Sequence, residues 1–297
     1  MNLTLLMITA AFAQEADSST WDLQDIPGQV RPDDPYWELE LLYHEHRYQE
    51  GLERTDALIA ASPDDVELIW HKVRFMFEVG ERLERTDTSM DKESWYQSMA
   101  AVSEAALAKD PDHAHLLFGK GVAMGRLGTT RGVLASLSMA TPIEQSWTQC
   151  MESDYRYRSI AGEEMLPCDC AHALGMFYRL VPDSWIVELI SGTRGSLQKS
   201  LEMQEWANQC KPNDISIEKE LGVSQLCIGQ KKNDTEMITA GRANLLHLAT
   251  LPVLTPSDAT DQEHARKLLL DPKLACEYSR DGQQDLDEAK LKEQAPE

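Results

Sequence analysis

Positive charge is scarce in this chain. Lys and Arg number 28 against 50 Asp and Glu, giving a formal net charge of -22. Charge of that sign and size repels phosphate backbones and anionic headgroups, so no nucleic-acid partner and no basic membrane-binding face are expected. Apolar and polar residues rarely alternate between Gly/Asn turns, and a β-sheet is therefore not indicated. Long apolar runs are missing as well, apart from the uncharged and largely apolar residues 3–12. That run is far short of the roughly 20 residues a helix needs to cross a bilayer. It ends in Ala11-Phe12-Ala13, the small-x-small pattern of a signal-peptidase site. No Lys or Arg precedes the run, and no Cys stands at the cleavage point to carry a lipid. The expectation is a signal peptide over residues 1–13, cleaved before Gln14, a periplasmic or secreted location, and no membrane span in the mature chain.

Catalytic signatures are also absent. No Gly-x-Ser-x-Gly elbow and no His-Glu-x-x-His motif occurs. Phe118-Gly119-Lys120-Gly121 resembles part of a phosphate loop, but it lacks the following Ser/Thr and a preceding strand. The His44-Glu45-His46 and His113-Ala114-His115 pairs place their imidazoles on different sides of a helix and make no clamp. Neither an enzyme nor a cofactor is expected.

What the chain does have is 42% apolar residues, enough for a core, and a recurrent turn. Ser62-Pro63-Asp64-Asp65, Asp110-Pro111-Asp112 and Lys211-Pro212-Asn213-Asp214 each precede a helical pattern. Placing these prolines at the end of a repeating unit starts new units at Val66, Ala114 and Ile215. Gly121 and Gly222 then fall where two helices cross. Gly80, Gly128 and Gly229 fall at the turn between helices, and Ala106 and Ala207 fall on second helices. A fourth unit aligned on Leu174-Gly175 starts at Cys168. Helix pairs with small crossing residues and a period of about 34 residues are the signature of tetratricopeptide (TPR) repeats. The fold class expected is an all-α, TPR-like helical-repeat solenoid with enlarged links between helices.

The expected organisation is an acidic linker over 14–34, the helical domain over 35–272, and an acidic, mobile tail over 273–297. Second helices are expected near 94–108, 142–153, 196–210 and 233–251, with a capping helix near 257–270. Residues 81–92, 129–141 and 181–195 form the enlarged links, and 154–167 reads as an exposed connection.

Val66-Glu67-Leu68-Ile69-Trp70 with Gly80, residues 114–128 leading into Thr130-Arg131-Gly132, His172-Ala173-Leu174-Gly175, Ser184-Trp185 and residues 192–212 together carry a resemblance. Over residues 35–272 the chain resembles the regulator-of-microtubule-dynamics type of TPR protein. The resemblance implies the fold and no catalytic set. Eukaryotic members are associated with microtubules and organelle contacts. A cleavable export signal is at odds with that role, and an exported bacterial relative fits better.

The first helix of each TPR unit lines the concave face. That places Tyr36, Glu40, Tyr43 and His44 there, then Glu67, Trp70, Arg74, Phe77 and Glu78. His115, Phe118, Val122 and Arg126 follow, and then His172, Met176 and Arg179. The partner-binding groove is assigned to Tyr43, Trp70, Arg74, Phe77, His115, Phe118, Arg126 and His172. Aromatic anchors with charges of both signs suit a protein or peptide partner. Alternatively, the enlarged links fill this groove, and a solute-uptake component sheltering a small ligand is the second functional reading. Cys150, Cys168, Cys170, Cys210 and Cys227 are candidate disulfide cysteines, with Cys276 beyond them, and spacing does not assign the pairs. Cys168-Asp169-Cys170-Ala171-His172 offers soft ligands but no second half, so no metal site is assigned.

Overall fold

Each proline turn hands the chain to a helix whose first amides are already capped. Asp65 Oδ1 accepts from the Leu68 N–H at 3.2 Å, and Asp214 Oδ1 from that of Ile217 at 3.0 Å. His113 Nδ1 accepts from that of Leu116 at 3.4 Å. Satisfying these otherwise unpaired donors contributes about 1 kcal/mol per cap. The three helices that follow are α3 (Val66–Gly80), α5 (Ala114–Arg131) and α10 (Ile215–Lys232).

The computed structural model describes residues 28–83 and 91–286. The expected signal peptide, most of the linker, residues 84–90 of the first enlarged link and the end of the tail lie outside the described residues. The remaining helices are α1 (Trp37–His44), α2 (Tyr48–Ala61), α4 (Lys92–Leu107), α6 (Ala140–Glu152), α7 (Cys168–Leu180), α8 (Trp185–Ser191), α9 (Leu197–Cys210), α11 (Thr235–Leu248) and α12 (Pro256–Leu270). Helices pack in pairs, α1 with α2, α3 with α4, α5 with α6, α7 with α9 and α10 with α11, and α12 closes the series against α10 and α11. The all-α helical-repeat fold read from the sequence is the fold found.

The core runs between the two layers. Leu39, Phe75, Tyr96 and Leu116 are fully buried in the N-terminal half, as are Leu226, Leu245 and Leu248 in the C-terminal half. Complete burial of one such side chain contributes roughly 1.5–3 kcal/mol. The backbones of α10 and α11 cross in close contact. A Cβ on Gly222 would stand 2.9 Å from the Gly241 carbonyl oxygen, and one on Gly241 would stand 2.7 Å from that of Gly222.

The structure departs from the expected layout in four places. Gly128 and Gly229 do not end helices but lie inside α5 and α10. A helical Gly costs roughly 1 kcal/mol, and at Gly229 the reason for it is close packing, because an added Cβ would sit 2.7 Å from Ile238 Cγ1. The helices end instead at Gly132, with φ of 100°, and Asn233, with φ of 55°. Residues 154–167, expected as an exposed connection, form a tucked-in hairpin, with β1 (Tyr157–Arg158) antiparallel to β2 (Met165–Leu166). Gln29, expected within the linker, bridges to Arg158, and the Val30 N–H donates to the Arg158 carbonyl. The tail, expected to be mobile over 273–297, is folded over its described part, residues 273–286. A 3-10 turn (Pro272–Ala275) leads into β3 (Tyr278–Ser279) and β4 (Gly282–Gln283), and Tyr278 is buried.

The cysteines pair as Cys150–Cys170, Cys168–Cys210 and Cys227–Cys276. The last pair recruits the cysteine that stood apart in the sequence and pins the folded tail to α10. The two ends of the array also meet. His46 Nε2, in the α1–α2 turn, lies 3.1 Å from the Leu254 carbonyl in the α11–α12 link.

Candidate functional site

The inner layer consists of α1, α3, α5, α7 and α10, and side chains one turn apart on each of these helices face the same interior. All eight groove residues assigned from the sequence, Tyr43, Trp70, Arg74, Phe77, His115, Phe118, Arg126 and His172, line one cavity of about 820 Å³. They are not, however, a free track. The β1–β2 hairpin occupies the N-terminal part of the groove and turns it into a buried polar cluster.

At the centre of that cluster is Arg74. Its Nη1 lies 2.9 Å from Glu40 Oε2 and its Nε 2.7 Å from Glu164 Oε2. The guanidinium carbon sits 3.4 Å above the Tyr43 ring. Tyr157, from the hairpin, donates its hydroxyl to both Glu40 oxygens at 2.7 and 2.8 Å. Tyr43 donates to Glu78 Oε1 at 3.0 Å. Trp70 is sandwiched between His71 and His115, with ring centroids 3.9 and 3.8 Å away, and its Nε1 donates to Glu67. His115 Nε2 lies 3.2 Å from Glu164 Oε1. Burial pushes the Glu164 carboxyl up, but Arg74 and His115 outweigh it and hold it at about 2. Burial depresses both His71 and His115 below the ordinary imidazole range. Burial raises Glu78 and Glu163.

The folded tail crosses the other end of the groove on a chain of alternating charges. Lys92 Nζ lies 2.9 Å from Asp281, and Asp281 lies 3.0 Å from Arg126. Arg126 lies 2.6 Å from Glu81, which in turn lies 3.0 Å from Arg280. The line continues from Arg280 to Asp261 at 3.3 Å, and from Asp261 to Lys219 at 2.7 Å. It ends from Lys219 to Glu220 at 3.2 Å, and from Glu220 to Arg179 at 2.7 Å. Arg179 Nη1 also donates to the Tyr278 carbonyl at 2.7 Å. Two of these residues, Arg280 and Asp281, belong to the tail itself. Ion pairs at this depth recover little more than their desolvation cost, so their effect is to place the tail rather than to add net stability.

Of the assigned residues, then, Tyr43, Trp70, Arg74 and His115 are committed to the hairpin cluster, and Arg126 is committed to the tail. His172 is held by Gln204 at 3.0 Å and Ser216 at 3.3 Å. Phe77 and Phe118 remain half-buried on the cavity wall. Cys168 and Cys170 are each bonded to a different partner, which takes both out of any thiolate ligand set. His113, besides capping α5, lies 3.2 Å from Glu67. Sequence reasoning missed Tyr157, Glu164, Arg280 and Asp281. One local signal was present, because Tyr155-Arg156-Tyr157-Arg158 is a dense basic-aromatic run in an acidic chain.

What remains open is a cavity walled by Phe77, Phe118, Val122, Met176, Leu180 and Ile215 between the two charged ends. Among the described residues, no helix is long and apolar enough to cross a membrane. No family model and no curated protein matches the chain. Among solved structures, one described as "MamA RS-1 ArsTM double mutant" is similar at 14% identity with a TM-score of 0.40, covering 70% of this chain and 90% of that one. A likeness that distant does not speak to role.

Proposed function

We propose that the protein is a non-catalytic, exported binding protein that takes a small ligand into the central cavity of its helical array. The observation that carries this reading is the occupied groove. With the hairpin over one end and the tail across the other, an extended peptide has no continuous track. A cavity of about 820 Å³ remains, in the range of small-molecule sites, which run from roughly 300 to 1,000 Å³. Three disulfides fit an oxidising compartment and support export. The resemblance to regulator-of-microtubule-dynamics proteins bears on the architecture alone. Native mass spectrometry of the exported protein tests the proposal. The wild type should retain or take up a small molecule that Val122→Trp, which fills the cavity wall, excludes. Equal uptake by both would overturn it.

A scaffold for a protein partner is the second reading, and α8 favours it. Trp185, Leu189 and Ile190 are 68%, 76% and 43% exposed, a cluster of large apolar side chains that ordinary solvated surfaces seldom carry. Crosslinking in the native compartment should lose its partner in a Trp185→Ala, Leu189→Ala variant. Unchanged crosslinks would remove the reading.

A further inference from the structure

We infer that the ligand of this cavity is a small organic anion with an apolar body, its carboxylate or equivalent group received by Arg158. This rests on the cavity being a ligand site. Along its wall, every other cation is paired. Arg74, Arg126, Arg179, Lys211, Lys219 and Arg280 line the cavity, and each faces at least one carboxylate within 3.6 Å. Arg158 also lines it, and among the described residues its guanidinium has no carboxylate partner. Its Nε is buried without a hydrogen-bond acceptor. In a chain with a net charge of -22, an unpaired cation facing an interior is a conspicuous exception.

The hairpin explains its position. Tyr157 and Arg158 are adjacent in β1, so their side chains leave opposite faces. Tyr157 enters the polar cluster at Glu40, and Arg158 is left to the cavity, opposite Met165. Both backbone groups of Arg158 are bonded to the segment around Gln29, its N–H donating to the Gly28 carbonyl at 3.0 Å and its carbonyl accepting from the Val30 N–H at 3.1 Å. The guanidinium is thus presented from a held strand. The acidic residues of the wall do not make a matching case for a cation. Glu163, whose Oε2 is buried without a hydrogen bond, has His44 Nδ1 at 3.8 Å, an ion pair only when that imidazole is protonated, and burial raises its carboxyl toward the neutral form. An arginine fork binds a carboxylate through two parallel hydrogen bonds, and Phe77, Phe118 and Met176 offer the apolar contact for the rest of the molecule.

The test uses the full disulfide-bonded protein with octanoate and its methyl ester as probes, titrated calorimetrically. Octanoate should bind about tenfold to a hundredfold more tightly than the ester, the scale of a charge-assisted hydrogen bond. Arg158→Ala should abolish that gap while leaving ester affinity unchanged, which also shows that the variant is folded. Arg158→Lys should keep part of the gap, because the charge survives without the fork. Equal binding of acid and ester by the wild type overturns the anion assignment and leaves the cavity reading standing. A gap that persists in Arg158→Ala overturns the assignment to this residue. Failure of both probes overturns the inference, and if Val122→Trp also takes up ligand as the wild type does, the cavity reading goes with it.

Discussion

Replacing Arg74 by Met asks whether the hairpin fills the groove or merely rests on it. The side chains of Arg74, Glu40 and Glu164 are 5%, 2% and 10% exposed. Removing the cation strands two carboxylates in a site closed by Tyr43, Trp70 and Tyr157. Breaking a buried pair in this way costs about 3–5 kcal/mol, because the Tyr157 hydroxyl on Glu40 and His115 beside Glu164 do not replace the cation that balanced two desolvated carboxylates. The same loss at a solvated surface would cost under about 1 kcal/mol. Urea unfolding followed by tryptophan fluorescence measures the difference, and Trp70 reports from within the cluster. The triple variant Glu40→Gln, Arg74→Met, Glu164→Gln carries the argument further. It removes all three charges and should be clearly more stable than Arg74→Met alone, although it changes more residues. If the single variant loses less than about 1 kcal/mol, or the triple is the worse of the two, the cluster is hydrated and the occupied-groove account fails.

The tail contacts predict a local effect. Arg280→Ala should cost about 1–3 kcal/mol and speed hydrogen exchange in residues 276–284 more than in α10, and uniform exchange would contradict the docking. Stability should also depend on pH. The unfolded chain protonates its histidines near 6.5, whereas folded His71 and His115 are held below that value by burial, so stability falls as pH drops through 6.5. The wild-type slope should exceed that of His115→Asn between pH 7 and pH 5.5. Below 4.5 a further loss sets in as pH falls toward the folded Glu164 value of about 2. Gly222→Ala should destabilise the α10–α11 crossing by about 1–3 kcal/mol, with a lowered melting temperature as the readout and an unchanged one as the refutation.

What was legible in the sequence is what local chemistry encodes. Pro63, Pro111 and Pro212 announced three capped helix starts because proline, aspartate and the following amides act within one turn. The eight groove residues come to line one cavity because a period of 3.6 residues sorts faces. Gly121 read correctly as a crossing residue, and Trp147 packs against it. Gly128 and Gly229 were misplaced because glycine serves turns and close contacts alike, and only the neighbouring helix decides between them. The hairpin and the tail were illegible for a different reason. Two-residue strands have no periodicity, and Tyr157 finds Glu40 across 117 residues of chain. Arg280 meets Glu81 in the same non-local way. Such pairings follow from the curvature of the whole array, which no window of sequence contains.

The Cys150–Cys170 bond closes a covalent ring around the hairpin, its two cysteines only 20 positions apart in the chain. Within that ring Tyr157, Arg158 and Glu164 are leashed to the end of α6 and the start of α7 whatever the N-terminal helices are doing. Their encounter with Glu40 and Arg74 is therefore that of tethered partners at high effective concentration. The ring also has a practical signature. A protease that cuts once between residues 151 and 167 leaves a nicked protein that runs as a single chain and falls into two pieces only when reduced.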